Sequence, residues 1–373
     1  MKEFTGKILQ LGKFYPIYGG VEKVEFELML GLSEKNIKCD MLCAALEGKS
    51  KKYEFNDKAK LLTCHSWTKA AATMISPAMV FTLRKCKNDY DVIHIHHPDP
   101  MASLALLMSG YKGKVVLHWH SDILKQKLLL KFYKPLQDWI IKRADIIVGT
   151  SPIYLKESIY LKDVQQKTIC VPIGVEPIKP ERDKVSEIRE KYKGKKIIFS
   201  LGRLVAYKGF RYLIDAASYL NDNFVILIGG TGPLKEELDK QIKEKRLEDK
   251  VKLLGRISDD KLPSYYGACD VFCLSSIMKT EAFGIVQIEA MSCGKPIVAT
   301  NIPQSGVPFV NSHGISGLNV EPANAENLAK AIMDITKDSE TYNHYSSGAI
   351  NRYSELFTKE KMIENSINLY NNL

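Results

Sequence analysis

The sequence predicts an α/β protein built from two doubly wound, Rossmann-like domains that face each other across a cleft. Three observations carry this. Short β-branched runs alternate with helical patterns along the whole chain, which calls for mostly parallel sheets covered by helices on both faces. The 373 residues are enough for two cores at about 150 residues per domain. A charged segment, "PIKPERDKVSEIREKYKGKK" (177–196), separates two sets of strands.

In the first set, "KILQLG" precedes an amphipathic segment from Val21 to Ser33. "DVIHIHH" leads into "PMASLALLMSG", "KVVLHWH" leads into a long helical pattern ending near Arg143, and "ADIIVGT" follows. In the second set, "KIIFSLG", "NFVILIGG", "KVKLLG", "DVFCLSS" and "KPIVAT" have helices between them. The last stretch, "FTKEKMIENSINLYNNL", reads as an amphipathic helix with no strand after it. The expected division is a domain over 1–175, a second over 176–354 and a terminal helix over 355–373, with the linker near 172–180. Ligands in such sheets bind outside the carboxyl ends of the strands, and facing domains merge those ends into one cleft.

Composition is that of an ordinary globular protein, 45% apolar and 26% charged. No run approaches the ~18 apolar residues of a membrane span. The N-terminus "MKEFTGKILQLGKFYP" lacks a signal peptide's apolar core, so a cytoplasmic protein is expected. The eight cysteines contain no C-x-x-C and imply reduced, mostly buried thiols. Charge is uneven: residues 1–176 hold 26 Lys/Arg against 18 Asp/Glu, and the remaining 197 residues hold 27 against 25. The excess peaks in residues 112–143, where Lys125, Lys127, Lys131 and Lys134 alternate with Leu124, Leu128, Leu129, Phe132 and Tyr133. An anionic partner suits this stretch, whether nucleic acid, phosphorylated substrate or lipid headgroup. It reads either as a solvated helix over its own core or as a helix lying on an anionic membrane face.

Four motifs carry chemistry. In "FSLGRLVAYKGF" a buried strand ends at Gly202, and Arg203 and Lys208 follow in a loop that opens a helix, which are the parts needed to hold phosphate. In "KTEAFGIVQIEAMSCGKP" Glu281 precedes a helix expected to begin near Phe283–Gly284, with Glu289 eight residues on, roughly 12 Å along a helix axis. Amides of Phe283, Gly284 and Ile285 would then meet a diphosphate between them. Glu289 is the only acid in a largely buried helix, so it requires a partner. In "YPIYGGVEKV" Gly19 and Gly20 end a loop where backbone can approach a phosphate. "IGGTGPLKEEL", with Gly229, Gly230 and Gly232, lacks the G-x-G-x-x-G spacing of a dinucleotide site and reads as a tight turn or a ligand contact.

Five of the eight histidines, His94, His96, His97, His118 and His120, fall in "HIHHPDP" and "VVLHWHSDI". Alternation pairs His118 with His120, and His94 with His96, on strand faces. Metal ligation is disfavoured, because the pairs lie on separate strands with no shared geometry assured.

Taken in order, these elements resemble the retaining GT-B glycosyltransferases of family four, over nearly the whole chain. "GGVEKV" resembles the family's N-terminal glycine loop, "HSD" its histidine motif, "PIGVE" its interdomain segment and "GRLVAYKG" its phosphate motif. Glu281 and Glu289 match its E-x7-E pattern. The resemblance implies that Arg203 and Lys208 hold the donor diphosphate. Glu281, with Ala282, Phe283, Gly284 and Ile285 beside it, would meet the transferred sugar, and Glu289 the ribose. Arg256 and Ile257 would offer backbone to the base, and His120 would position sugar or phosphate. Gly19, Gly20, Gly202 and Gly230 would line the donor path, and the final helix would cross back onto the first domain. The first half resembles bacterial mannosyltransferases of polysaccharide assembly. GDP-mannose is therefore the favoured donor, with a saccharide or lipid-linked oligosaccharide as acceptor. No cofactor, metal or nucleic acid is implied. A UDP-sugar donor is the alternative, and a sugar-nucleotide epimerase or an inactive nucleotide-binding subunit are readings of another class.

Overall fold

The computed structural model describes residues 4–17, 19–70, 73–123 and 127–373, without the side chains of 70 and 127–130. The chain divides into two compact units, Met1–Ile173 with Lys359–Leu373, and Gly174–Thr358.

The first unit contains β1 (Ile8–Tyr15), α1 (Val21–Glu34), β2 (Cys39–Ala45), β3 (Lys51–Asn56), β4 (Ala59–Cys64), β5 (Thr68–Ala70), β6 (Thr73–Ile75) and α2 (Pro77–Cys86). It continues with β7 (Val92–His97), α3 (Pro100–Ser109), β8 (Lys114–Trp119), α4 (Lys127–Arg143), β9 (Ile146–Gly149), α5 (Pro152–Glu157) and β10 (Thr168–Cys170). Its main sheet runs β10-β9-β8-β7-β1-β2-β4-β3, parallel except for β3 against β4. The neighbours of β1 are β2 on one side and β7 on the other, so the winding reverses between β1 and β7. Loops leaving the carboxyl ends of those two strands splay apart and open a crevice. The turn after β7 is shaped by Asp99, whose carboxylate accepts from the Met101 and Ala102 amides and caps α3.

The second unit contains α6 (Arg182–Lys191), β11 (Lys196–Leu201), α7 (Phe210–Ala216), β12 (Phe224–Gly229), α8 (Lys235–Glu244), β13 (Val251–Gly255) and α9 (Leu262–Ala268). Then come β14 (Val271–Leu274), α10 (Ile285–Ser292), β15 (Ile297–Thr300), α11 (Val307–Val310), β16 (Gly317–Val320), α12 (Ala325–Ile335) and α13 (Ser339–Arg352). All its strands are parallel, in the order β13-β12-β11-β14-β15-β16. Ile198, Ile226, Leu213, Leu328 and Ile332 share the core under this sheet. The reversal falls between β11 and β14, the strands that carry the arginine–lysine loop and the first glutamate.

The closing helix, α14 (Lys359–Asn371), belongs to the first unit and packs on α1. Ile363 fills the space left by Gly31, and Lys359 pairs with Glu27 at 2.7 Å. Among the described residues no helix is long and apolar enough to cross a membrane.

Candidate functional site

In the second unit the loop after β11 is held by backbone pairing with its neighbours. Gly202 N–H donates to Gly229 O at 3.0 Å, Leu204 N–H to Thr231 O at 2.9 Å, and Gly230 N–H to Gly255 O at 2.8 Å. Gly230 has φ +132°, and a β-carbon there would lie 1.9 Å from Gly202 O. The glycines of "IGGTG" are therefore required by close loop packing, whatever else they touch. Gly209, at φ +66°, likewise allows the Lys208 turn to press on Ser275 O. Arg203, Arg256 and Asp259 are exposed, while Ile257 packs against Gly229.

Lys208 and Glu281 form an ion pair, 73 residues apart in sequence and both nearly enclosed, with side chains 11% and 10% exposed. Ser276 Oγ donates to the same Glu281 oxygen at 2.7 Å. Burial disfavours the Lys208 ammonium, yet the Glu281 carboxylate and the Tyr207 ring beside it hold its pKa above the usual lysine value. Ser305 Oγ donates to Glu281 O, and Gly306 N–H to Ala282 O, which fixes the loop that presents the acid.

The following helix differs from the expectation. Helix α10 begins at Ile285, not Phe283, because Gly284 takes φ +75° and forms its N-cap. The left-handed turn is needed where the chain passes Leu274 and Gln287, each 2.8 Å from a β-carbon built on Gly284. Only the second half of the Glu281–Glu289 interval is helical, so the axial estimate of the spacing does not hold. Phe283 and Gly284 thus present amides from a turn ahead of the helix. Glu289, half-buried, has the expected partner, the Tyr266 hydroxyl, which donates to it at 2.6 Å. Burial, reinforced by Glu289, raises the pKa of that phenol.

In the first unit Gly19 and Gly20 have φ +127° and +63°, and Gly20 stands at the start of α1. At the reversal between β1 and β7 lies Glu25, fully buried, accepting from Lys13 N–H at 3.2 Å. Burial raises its pKa well above the carboxylate range, and burial lifts Asp99 to about 6. The sequence reading did not single out Glu25. The signal was an acid at an apolar helical position, one turn from both Val21 and Leu28.

The histidines form one cluster. β7 and β8 pair directly, with His96 opposite His118 and His97 opposite Trp119. The pairs do lie on separate strands, but those strands are neighbours and bring the rings together. His94, His96, His118 and His120 share one sheet face, all at most 5% exposed. Ligand nitrogens of His94, His96 and His118 lie within 4.8 Å of one another. Their rings stack, however, with interplanar angles of 3° to 25°. The nitrogens pair with one another, His94 Nε2 lying 3.3 Å from His118 Nδ1 and His96 Nδ1 2.8 Å from His120 Nε2. His97 lies on the opposite face, 3.8 Å from the Trp119 ring. Asp122 of "HSD" accepts from Trp119 Nε1 at 2.9 Å and Ser158 Oγ at 2.8 Å, which anchors the loop after β8.

Comparison with known proteins agrees with this geometry. Residues 18–178 match the family model described as Glycosyltransferase Family 4, and residues 181–352 match Glycosyl transferases group 1. O-antigen chain mannosyltransferase C of Escherichia coli is 30% identical, over 96% of this chain and 96% of that protein. D-rhamnosyltransferase WbpZ of Pseudomonas aeruginosa is 30% identical over 77% of this chain and 75% of its own. The crystal structure of HepE from Anabaena in complex with UDP has a TM-score of 0.80 at 20% identity, covering 98% of this chain and all of that one. Two doubly wound units, each with its loops at a topological switch point, and two family matches that together span nearly the whole chain lead to one conclusion: the protein belongs to the GT-B glycosyltransferases of family four.

Proposed function

We propose that the enzyme is a retaining hexosyltransferase that moves mannose from GDP-mannose to a saccharide or lipid-linked oligosaccharide in cell-surface polysaccharide assembly. The observation that carries this reading is the 30% identity, across 96% of both chains, with an O-antigen mannosyltransferase. Lys208 and Arg203 hold the donor diphosphate beside the amides of Phe283, Gly284 and Ile285. Glu281, ion-paired with Lys208 and acceptor-only, accepts hydrogen bonds from the hydroxyls of the sugar. Glu289 accepts from those of the ribose, and Gly19, Gly20, Gly202 and Gly230 let backbone approach the donor. The backbone of Arg256 and Ile257 meets the base. Catalysis rests on orientation and on fixed positive charge at the departing phosphate, which also deprotonates the acceptor hydroxyl on the same face. Two cations and oriented amides supply the charge a divalent ion would otherwise bring, so transfer needs no metal.

The acceptor reading comes with a place of work, the cytoplasmic face of the membrane. α3 packs against both α2 and α4. These three helices carry seven Lys/Arg and one acid (Asp138), six of the chain's formal charge of +10.

A panel of GDP- and UDP-sugars tests the donor. A ligand that binds only the folded state raises the melting temperature. GDP-mannose is expected to do so most and to be turned over with chelator present. Stabilisation by UDP-sugars alone sinks the mannosyl reading, and activity lost on chelation and regained with a divalent ion sinks the metal-free one.

A further inference from the structure

The stacked imidazoles form directed chains whose proton positions follow from their ends. Gln10 lies on β1 beside β7, and its Oε1 is 2.8 Å from His96 Nε2. An amide oxygen has no proton to give, so His96 Nε2–H is the donor. The Gln10 amide nitrogen is turned the other way, toward Cys39 Sγ at 3.6 Å, and Gln10 also hydrogen-bonds the Tyr370 side chain. Because a neutral imidazole carries one proton, His96 Nδ1 is bare. It stands 2.8 Å from His120 Nε2, which must therefore be protonated. That leaves His120 Nδ1 as a lone pair, buried and with no partner among the described residues. Burial first, and the neighbouring imidazoles second, hold His96 and His120 well below the usual histidine pKa, so both rings stay neutral.

We propose that Gln10 and His96 are positioning residues: the chain Gln10–His96–His120 fixes the Nε2–H tautomer of His120, so that its Nδ1 accepts a hydrogen bond from a saccharide hydroxyl. A bare nitrogen accepts and cannot donate, so the chain selects a hydroxyl and repels the proton-free oxygens of a phosphate. A buried acceptor without a donor is unfavourable, and a bound hydroxyl removes that penalty. The nature of the ligand rests on the glycosyltransferase reading; the tautomer does not.

Nitrogen NMR of the full chain, with ¹⁵N-labelled histidine and His120 assigned through His120→Gln, reads the tautomer directly. The expected spectrum shows a bare Nδ1 and a protonated Nε2 on His120. Gln10→Leu removes the terminal acceptor and should give mixed tautomers. His96→Asn should restore a single form, because its Oδ1 stands where Nδ1 stood and accepts without help from Gln10. Turnover of GDP-mannose should fall about tenfold in kcat/KM in Gln10→Leu, the worth of one lost hydrogen bond, while affinity for GDP stays unchanged. Adding Gln10→Leu to His96→Asn should then change nothing further. A protonated Nδ1 on His120 in the native protein, or an equal loss from Gln10→Leu in both backgrounds, overturns the proposal. If GDP-mannose is not turned over, the spectrum still decides the tautomer, and the failure falls on the donor reading alone.

Discussion

Lys208 shows how a residue's place alters what its removal means. Seen as a loop cation, it is dispensable to folding. In the structure it is the counterion of a nearly enclosed carboxylate, and removing one partner of such a pair strands the other charge at about 3 kcal/mol. Lys208→Ala is expected to lose roughly 10²–10³ in turnover and also to melt lower. The double variant Lys208→Met with Glu281→Gln should recover the melting temperature and stay inactive. Glu281→Gln alone should impair transfer while GDP still binds, whereas Glu289→Ala should weaken GDP binding itself. Calorimetry with GDP beside steady-state rates separates these outcomes, and interchange of the two glutamate phenotypes would reverse the orientation assigned to the donor. The letters of these motifs were legible in the sequence, and so was the need of Glu289 for a partner. That the partner is Tyr266, or that Glu281 claims Lys208, was not, because pairing across 23 and 73 residues is set by strand order.

At the scale of elements, legibility followed burial. Strands β1, β7, β8, β11, β12 and β14 are apolar runs with turn residues after them, and each was readable. β3 (Lys51–Asn56) is almost wholly exposed, and β16 is a four-residue edge, so neither carries a core signal. The basic stretch shows the same division. Leu124 and Lys125 lie outside the described residues, as do the side chains of Lys127, Leu128 and Leu129. Within the described part, α4 exposes Lys131, Phe132 and Lys134 and buries Tyr133. The sequence drew attention to α4 alone, but the apolar centre lies on α3. Leu104, Leu107 and Met108 sit at i, i+3, i+4 spacing and are 38% to 45% exposed, with Phe81 of α2 at 61% and Phe132 of α4 at 81%. Exposed apolar side chains beside Arg84, Lys85, Lys131 and Lys142 suit the interface of an anionic bilayer, each nearby cation adding about 1 kcal/mol. The protein should sediment with phosphatidylglycerol vesicles and not with phosphatidylcholine vesicles, and the effect should fade as salt rises. Lys85→Glu with Lys131→Glu and Lys142→Glu should abolish it and leave GDP binding intact. Equal sedimentation with both vesicle types, or none with either, would reduce the three helices to an ordinary surface.

At the scale of the whole molecule the two units differ in what acid does to them. Burial holds His94, His96, His97, His118 and His120 below the usual histidine pKa, His97 and His118 at about 3, and all five lie in the first unit. In the unfolded chain each takes a proton near pH 6.5. Below that pH the unfolded state binds more protons than the folded one, so stability present above pH 6.5 is lost as pH falls toward the folded values. At pH 5.5 each histidine costs about 1.4 kcal/mol, and five together cost roughly 7 kcal/mol. Glu25 and Asp99 act in the opposite sense. Their folded pKa values are raised, so the folded state keeps their protons and regains part of that loss as pH falls. The remainder is still a large share of the roughly 5–15 kcal/mol that holds a protein folded. All three tryptophans, Trp67, Trp119 and Trp139, lie in the first unit, so their fluorescence reports that unit alone, while far-ultraviolet circular dichroism reports both. Acidification should shift the tryptophan emission between about pH 6 and pH 5 and leave much of the helical signal in place. Replacing His94 and His118 together by apolar residues of similar size, for example Phe, should move that emission change to lower pH. Coincident loss of both signals, or emission unchanged at pH 4.5, would mean that the buried histidines do not govern the acid stability of this unit.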